Sequence, residues 1–200
     1  MNKLEELNRL WFLHLNGAAG TPAGMVAVAT AIGEDVIYLI PVLLLGRWLW
    51  GSHGPRALAL KALLVTLLAL GFNQLLGLRW THPRPVALGL GHTWLPHPAD
   101  SSFPSDHMTV FASIGLTLLF GGSVRLGAAV LVAGLAVAWA RVFLGLHFPL
   151  DMVGGVAVAG VAYVLVIPVW RKAGEALVNR AEQLYRALLA YPIAAGWVRR

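Results

Sequence analysis

The sequence predicts an all-α integral membrane protein that forms one domain over residues 1–200. Hydrophobic residues make up 58% of the chain and charged residues 12%, about half the charged share of an average soluble domain. Five apolar stretches have close to the ~20 residues that a helix needs to cross a bilayer. Tryptophans mark the ends of these stretches, Trp48 and Trp170 at one interface and Trp80 and Trp94 at the other, as in an aromatic belt. A soluble enzyme with a large core is excluded.

The elements follow in chain order. Residues 3–16 place leucines near helical spacing but are too short and too charged to span, so segment 1–20 is predicted to be an interfacial helix. Residues 21–170 form the predicted transmembrane bundle, with spans near 23–46, 56–78, 105–120, 124–144 and 150–170. The third span is short and ends at Gly121-Gly122. Residues 171–200 are predicted to be a basic, amphipathic cytoplasmic tail on the membrane surface.

The basic residues predict the orientation, because Lys and Arg are enriched in cytoplasmic loops. With five spans, ten of the fifteen fall on one side: Arg47, Arg56, Lys61, Arg125, Arg171, Lys172, Arg180, Arg186, Arg199 and Arg200. That side is therefore predicted to be cytoplasmic and to carry the C-terminus. The net charge of +6 fits anionic lipid headgroups, and no basic run with interleaved aromatics suggests nucleic acid. The chain has no cysteine, which excludes disulfides and thiolate metal sites.

Polar residues collect on the opposite face, where four predicted spans begin or end. They are Arg79, His82 and Arg84 after the second span, Ser105, Asp106 and His107 at the third, Arg141 at the end of the fourth, and His147 and Asp151 at the fifth. Five spans bring these segments to one side of the membrane. Charged groups beside an apolar bundle are costly, so their clustering indicates function.

The residue types at this face suit phosphate chemistry. The guanidinium of arginine matches phosphate oxygens and stays charged, and Ser105 opens a helix whose N-terminus favours an anion. His147 and Asp151 are spaced i, i+4, so the carboxylate can hold one imidazole nitrogen as N–H and leave the other to attack phosphorus. His107 suits a general acid that protonates a leaving oxygen.

Three segments, "THPRP", "SFPSDH" and "ARVFLGLHFPLD", resemble in order the signature motifs of the type-2 phosphatidic acid phosphatase superfamily. The resemblance covers roughly residues 56–170 and is strongest to the bacterial undecaprenyl-diphosphatase branch of the bacitracin-resistance type. That branch carries acidic residues in its first span, as Glu34-Asp35 here. Three positions depart from the superfamily pattern: Gly77 stands for its Lys, Ala140 for its Ser and Asp106 for its Gly.

The resemblance implies roles for these residues. His147 is the nucleophile and forms a phosphohistidine, Asp151 orients it, and His107 protonates the leaving lipid phosphate. Arg84, Arg141 and Ser105 hold the transferred phosphoryl group, and Arg79 is a candidate for the charge of the missing Lys. No metal and no cofactor are implied, because the arginines supply the positive charge.

The resemblance also implies the setting. The substrate is a lipid diphosphate, undecaprenyl or another polyprenyl diphosphate, whose dephosphorylation recycles the carrier lipid for cell-wall synthesis. The enzyme is multi-pass in the bacterial cytoplasmic membrane with its active site on the extracytoplasmic face. Membrane lipids are its other partners, nucleic acid is not expected, and the oligomeric state stays open.

Four further residues each admit more than one place in this scheme, and two histidines are expected to lie outside it. Glu34 and Asp35 lie mid-span, where a carboxylate is costly, and either serve substrate binding or a catalytic arginine, or pair structurally with a group such as Asn73. Asp106 is expected to point away from the phosphate and to pair with Arg79 or Arg84. His82 is a loop residue that either lines the pocket or lies behind it. His92 and His97, in the loop before the second motif, are expected to face solvent.

Other functions stay open at this point. The motifs report only the phosphoryl end of a substrate, so a phosphatase or phosphotransferase acting on phosphatidylglycerophosphate, phosphatidate or lipid A fits them equally. A lipid transporter would suit the intramembrane acids, but the sequence shows no internal repeat. A non-catalytic scaffold would not need the ordered Arg, His and Asp set.

Overall fold

The computed structural model describes residues 3–96 and 100–200. Its regular elements within those ranges are helices: α1 (Lys3–Leu15), α2 (Ala23–Thr30), α3 (Leu39–Leu49), α4 (His53–Arg79), α5 (Asp106–Phe120), α6 (Val124–Phe143), α7 (Pro149–Leu188) and α8 (Ala190–Ala194). A 3₁₀ turn, Pro85–Leu88, lies in the loop between α4 and α5. The predicted all-α class is confirmed.

Among the described residues, four helices are long and apolar enough to cross a membrane: Ala23–Leu49 and His53–Arg79 with 27 residues each, Val124–Phe143 with 20 and Pro149–Leu188 with 40. They correspond to the predicted first, second, fourth and fifth spans. The predicted third span is α5, which has 15 residues and lies at the centre of the bundle, packed against α4, α6 and α7.

The fifth span was predicted to end near residue 170, and the structure instead extends this helix to Leu188. The fifth span continues without a break as α7, with Pro168 inside it. Buried Gly174, Val178 and Glu182 recur every four residues past the predicted end, so one face of the extension still packs on the protein. That face meets Arg56, which is fully buried and whose Nη1 lies 3.6 Å from Glu182 Oε1.

The first span is interrupted where its acidic pair occurs. Ala31–Asp35 forms one wide π-helical turn and Val36–Tyr38 one 3₁₀ turn between α2 and α3. Gly33 is buried there, and a Cβ on it would stand 3.2 Å from Leu144 Cδ1. The small residue lets this turn approach the end of α6, and single π-helical turns are often found at functional sites.

Glycines also bring α5 and α6 together. A Cβ on Gly127 would lie 2.5 Å from the backbone nitrogen of Leu119, and one on Gly115 would lie 2.6 Å from Leu131. Small residues permit such close helix packing inside membranes. The contact sets the start of α5 beside the end of α6, and so places His107 near Arg141.

Helix α1 lies against the same end of the bundle. Its Phe12 is fully buried with its ring edge-on to Phe148 at 5.2 Å, and Asn8 Oδ1 accepts a hydrogen bond from the Leu150 amide at 3.0 Å. Asn16, just after the helix, donates to the Phe143 carbonyl at 2.9 Å. These contacts fasten α1 across the ends of α6 and α7.

Candidate active site

A cavity of about 340 Å³ opens where α4 and α6 end and α5 and α7 begin. Its lining includes four of the residues predicted for catalysis and phosphate binding: Arg84, His107, Arg141 and His147. Asp106 and Gly77 line it as well. The topology thus brings three separate motifs to one pocket.

His147 lies in the short connection between α6 and α7 and is 3% exposed. Its Nδ1 is 2.9 Å from the Ser102 carbonyl and 3.3 Å from Asp151 Oδ2. Both atoms are acceptors, so Nδ1 carries the proton. Nε2 lies 3.3 Å from Nη1 of Arg84, a donor. Burial lowers the pKa of His147 despite the opposing effect of Asp151, which keeps the imidazole neutral and Nε2 nucleophilic.

Asp151 stands in the first turn of α7, which opens with Pro149 at a favoured position. Its Oδ2 accepts a hydrogen bond from the Phe148 amide at 2.8 Å. The carboxylate therefore caps α7 and at the same time contacts His147 one turn earlier. The i, i+4 pair predicted from the sequence forms.

Arg84 is held from several sides. It immediately precedes the 3₁₀ turn and is buried. Its Nε donates to Asp100 Oδ1 at 2.7 Å and its Nη1 to the Leu146 carbonyl at 2.7 Å, while Nη2 donates to the Ser101 carbonyl at 3.4 Å. These bonds fix the plane of the guanidinium beside His147. The contribution of Asp100 is not evident in the sequence, because it belongs to no motif.

Arg141 is 3% exposed near the end of α6. Its Nη1 donates to Glu34 Oε1 at 2.7 Å and to the Gly33 carbonyl at 3.2 Å, and lies 3.2 Å from Nε2 of His107. Of the roles considered for Glu34, the structure supports contact with Arg141. The alternative partner Asn73 is not used by Glu34. Asp35 is exposed one residue further on and does not line the pocket.

The structure separates the roles of Ser105 and Asp106. Ser105 is fully buried and caps α5, because its Oγ accepts a hydrogen bond from the Met108 amide at 3.4 Å. It does not line the pocket. Direct phosphate binding by its hydroxyl is therefore not supported. Asp106 was expected to point away and pair with Arg79 or Arg84. It instead lines the pocket, and its Oδ1 accepts from Asn73 Nδ2 at 2.7 Å.

Arg79 does not reach the pocket. It is exposed at the end of α4, beside an apolar groove shared with α7. Two residues turn an α-helix by about 200°, so Gly77, which does line the pocket, places Arg79 on the opposite face. The structure therefore gives no support to Arg79 as a substitute for the missing Lys, and the position of that Lys faces the cavity as a glycine.

Two further histidines, His82 and His92, lie outside the cavity. His82 sits behind the site, with its Nδ1 3.0 Å from Ser102 Oγ, and is not among the pocket residues. His92 is half-buried and stacks edge-on against Trp94 at 4.4 Å, so the expectation that it faces solvent is wrong. His97 lies outside the described residues.

Comparisons with known proteins agree with this geometry. The model of a family described as the PAP2 superfamily matches residues 58–175. The Escherichia coli (strain K12) protein named "Putative undecaprenyl-diphosphatase YbjG" is 35% identical over 196 residues, which are 98% of this chain and 99% of that protein. "Undecaprenyl-diphosphatase BcrC" of Bacillus subtilis (strain 168) is 32% identical over 74% of this chain and 76% of its own. The crystal structure of Aquifex aeolicus LpxE superposes with a TM-score of 0.64 at 21% identity, covering 81% of this chain and 95% of that one.

Proposed function

Because the chain belongs to the PAP2 superfamily, we propose that it is a membrane lipid phosphatase that hydrolyses the terminal phosphate of undecaprenyl diphosphate. One observation carries the proposal: two buried arginines, Arg84 and Arg141, each contact one of two imidazoles, His147 and His107, in a single cavity. Two fixed guanidinium groups can hold the oxygens of a phosphoryl group between a nucleophile and an acid.

In the first step, the terminal phosphate enters between the arginines, and its oxygens replace His107 Nε2 as acceptor for Arg141. His147 Nε2 attacks phosphorus as the bond to the bridging oxygen breaks. Protonated His107 delivers a proton to that oxygen, and undecaprenyl phosphate leaves. The product on the enzyme is a phosphohistidine, whose Nδ1–H is held by Ser102 and Asp151.

In the second step, a water takes the place of the leaving group. His107, now neutral, accepts its proton while the oxygen attacks phosphorus. The P–N bond breaks and returns the electron pair to Nε2 of His147, and inorganic phosphate leaves. Arg84 and Arg141 stabilise the charge on the phosphoryl oxygens in both transition states.

The setting of the reaction follows from the same proposal. The spans around the cavity are apolar, which suits a substrate that stays in the bilayer, and two relatives at 32–35% identity carry the name undecaprenyl-diphosphatase. Ten of the fifteen basic residues lie toward the other end of the bundle, which favours an extracytoplasmic active site. Release of undecaprenyl phosphate there would recycle the carrier lipid for cell-wall synthesis.

A substrate panel tests the proposal. Purified protein in detergent is given undecaprenyl diphosphate, phosphatidylglycerophosphate, phosphatidate and lipid A, and released phosphate is measured with His147→Ala as the blank. We expect kcat/KM to be highest for the isoprenoid diphosphate and to disappear in the blank. A higher kcat/KM for a lipid monophosphate would overturn the proposed substrate. Phosphate release by His147→Ala would overturn the proposed mechanism. When undecaprenyl diphosphate carries ³²P in its terminal phosphate, the wild-type protein should retain an acid-labile label, as expected for a phosphohistidine. The His147→Ala protein should retain none.

A further inference from the structure

The nucleophilic imidazole has two acceptors at Nδ1, and the backbone supplies the nearer one. The Ser102 carbonyl lies 2.9 Å from Nδ1, whereas Asp151 Oδ2 lies at 3.3 Å. Asp151 Oδ2 also accepts from the Phe148 amide at 2.8 Å, so this carboxylate oxygen is shared between two donors. The orientation of His147 therefore depends on what holds Ser102 in place.

Ser102 is fully buried and is held by His82. The Ser102 amide donates to the His82 carbonyl at 2.8 Å, and Ser102 Oγ lies 3.0 Å from His82 Nδ1. The neighbouring Ser101 Oγ accepts from the His82 amide at 3.1 Å. Three hydrogen bonds thus tie the segment after α4 to the segment before α5, directly behind the nucleophile.

His82 is tied in turn to α1. Its Nε2 lies 3.6 Å from Oε2 of Glu5, and Arg9 holds the other oxygen of that carboxylate at 2.9 Å. Burial acts to raise the pKa of Glu5, but hydrogen bonds from Arg9 and Asn8 and the charge of Arg9 outweigh it and lower the pKa, so Glu5 is ionised at neutral pH. The edge of the His82 ring also packs on Phe148 at 5.6 Å.

We propose that His82 and Ser102 are positioning residues that keep the nucleophile in its Nδ1–H tautomer, and that Glu5 anchors them on helix α1. The proposal rests on the role of His147 in the proposed function. It makes α1 a supporting part of the active site, because the carboxylate of Glu5 attracts the imidazole of His82 across 3.6 Å, His82 bonds Ser102, and the Ser102 carbonyl orients the nucleophile. Neither His82 nor Ser102 lines the cavity.

Two substitutions at one position separate positioning from general stability. His82→Leu removes both ring nitrogens, whereas His82→Asn keeps an amide able to bond Ser102 Oγ. We expect His82→Leu to lower kcat about tenfold with KM within about twofold, since a misplaced nucleophile costs rate more than binding. His82→Asn should recover most of kcat. His14→Leu, the same change on the exposed side of α1, is the matched control and should behave as wild type.

A second readout needs no substrate. Protein labelled with ¹⁵N-histidine in micelles, with His147 assigned by comparison with His147→Ala, should show the Nδ1–H tautomer in wild type and a tautomer mixture in His82→Leu. An Nε2–H tautomer in wild type, or an unchanged tautomer and kcat in His82→Leu, overturns the proposal. If the protein does not hydrolyse undecaprenyl diphosphate, only the proposed substrate is overturned. The tautomer of His147 is measured without any lipid, and kcat can be measured on whichever lipid of the panel is hydrolysed.

A double substitution tests the sharing of the nucleophile's proton. His82→Leu weakens the hold on the Ser102 carbonyl, and Asp151→Asn weakens the carboxylate acceptor. Each single variant therefore keeps one intact acceptor for the Nδ1–H of His147. The double variant should lose more activity than the product of the two single losses, as expected for groups that support the same N–H. A loss equal to that product would show that His82 does not act through His147.

Discussion

Glu34→Gln should slow the enzyme by weakening the hold on a buried arginine. Arg141 is 3% exposed, and its shortest side-chain contact is Glu34 Oε1 at 2.7 Å, whereas the Glu34 side chain is 44% exposed. The pair therefore lies between an exposed ion pair, worth about 0–1 kcal/mol, and a fully buried one, whose disruption costs about 3–5 kcal/mol. A loss of about 1–2 kcal/mol corresponds to a decrease of roughly tenfold in kcat/KM.

The measurement is phosphate release from the best lipid of the panel, with kcat and KM determined separately. Asp35→Asn is the matched control, since Asp35 is exposed and outside the cavity; it removes the same charge one residue away and should leave kcat/KM within about twofold, as surface changes usually do. Equal kcat/KM for Glu34→Gln and wild type, in protein of unchanged thermal stability, would show that the contact with Arg141 is structural only.

Four more outcomes are expected. Burial lowers the pKa of His147 below the usual 6.5, and the neutral form attacks, so kcat/KM should hold its plateau down to below pH 6.5 and fall on the acid side as His147 becomes protonated; an acid-side fall that begins above pH 7 would contradict a buried neutral nucleophile. Asp106→Gly should retain kcat within about threefold while lowering stability by about 1 kcal/mol through loss of a favourable charge and of helix propensity; abolished turnover in folded protein would mean that Asp106 takes part in catalysis. Arg79→Gln should keep kcat/KM within about twofold, because its guanidinium lies outside the cavity, and a larger loss would place it in contact with substrate. Gly77→Lys directs a cation into the cavity, where a Cβ would stand 3.7 Å from that of Ser101, and should lower KM by about threefold through added attraction to phosphate; a raised KM would show that the cavity has no room for it.

Much of the site was predictable because its residues come in fixed local spacings. The His147 and Asp151 pair follows from one turn of helix, and the meeting of Arg84, His107 and Arg141 follows from the number of spans. Contacts that depend on the path of an irregular segment were not predictable. Asp100 and Ser102 reach the catalytic residues from a loop whose course no periodicity reports.

Two differences between prediction and structure have a common physical origin in helix geometry. Arg79 was a candidate for the pocket from its place in the chain, but the rotation of α4 turns it away. The C-terminal segment was expected to separate from the fifth span because its composition becomes polar at Arg171. A change from lipid-facing to water-facing residues alters the surroundings of a helix without ending it, and α7 continues to Leu188.

The shortness of α5 determines how deep the chemistry lies. Helices α5 and α6 meet at one turn, yet have 15 and 20 residues, so at 1.5 Å per residue α5 begins about 7 Å below the level at which α6 ends. A 20-residue helix has the ~30 Å length of the hydrocarbon layer, so in a bilayer that α6 spans from end to end His107 would lie beneath the headgroups. Under the proposed function, a lipid that binds would carry its phosphate below those of its neighbours, with its chain displaced toward the midplane. Bilayer thickness would then affect the rate, because it sets how far the phosphate must move below the headgroups.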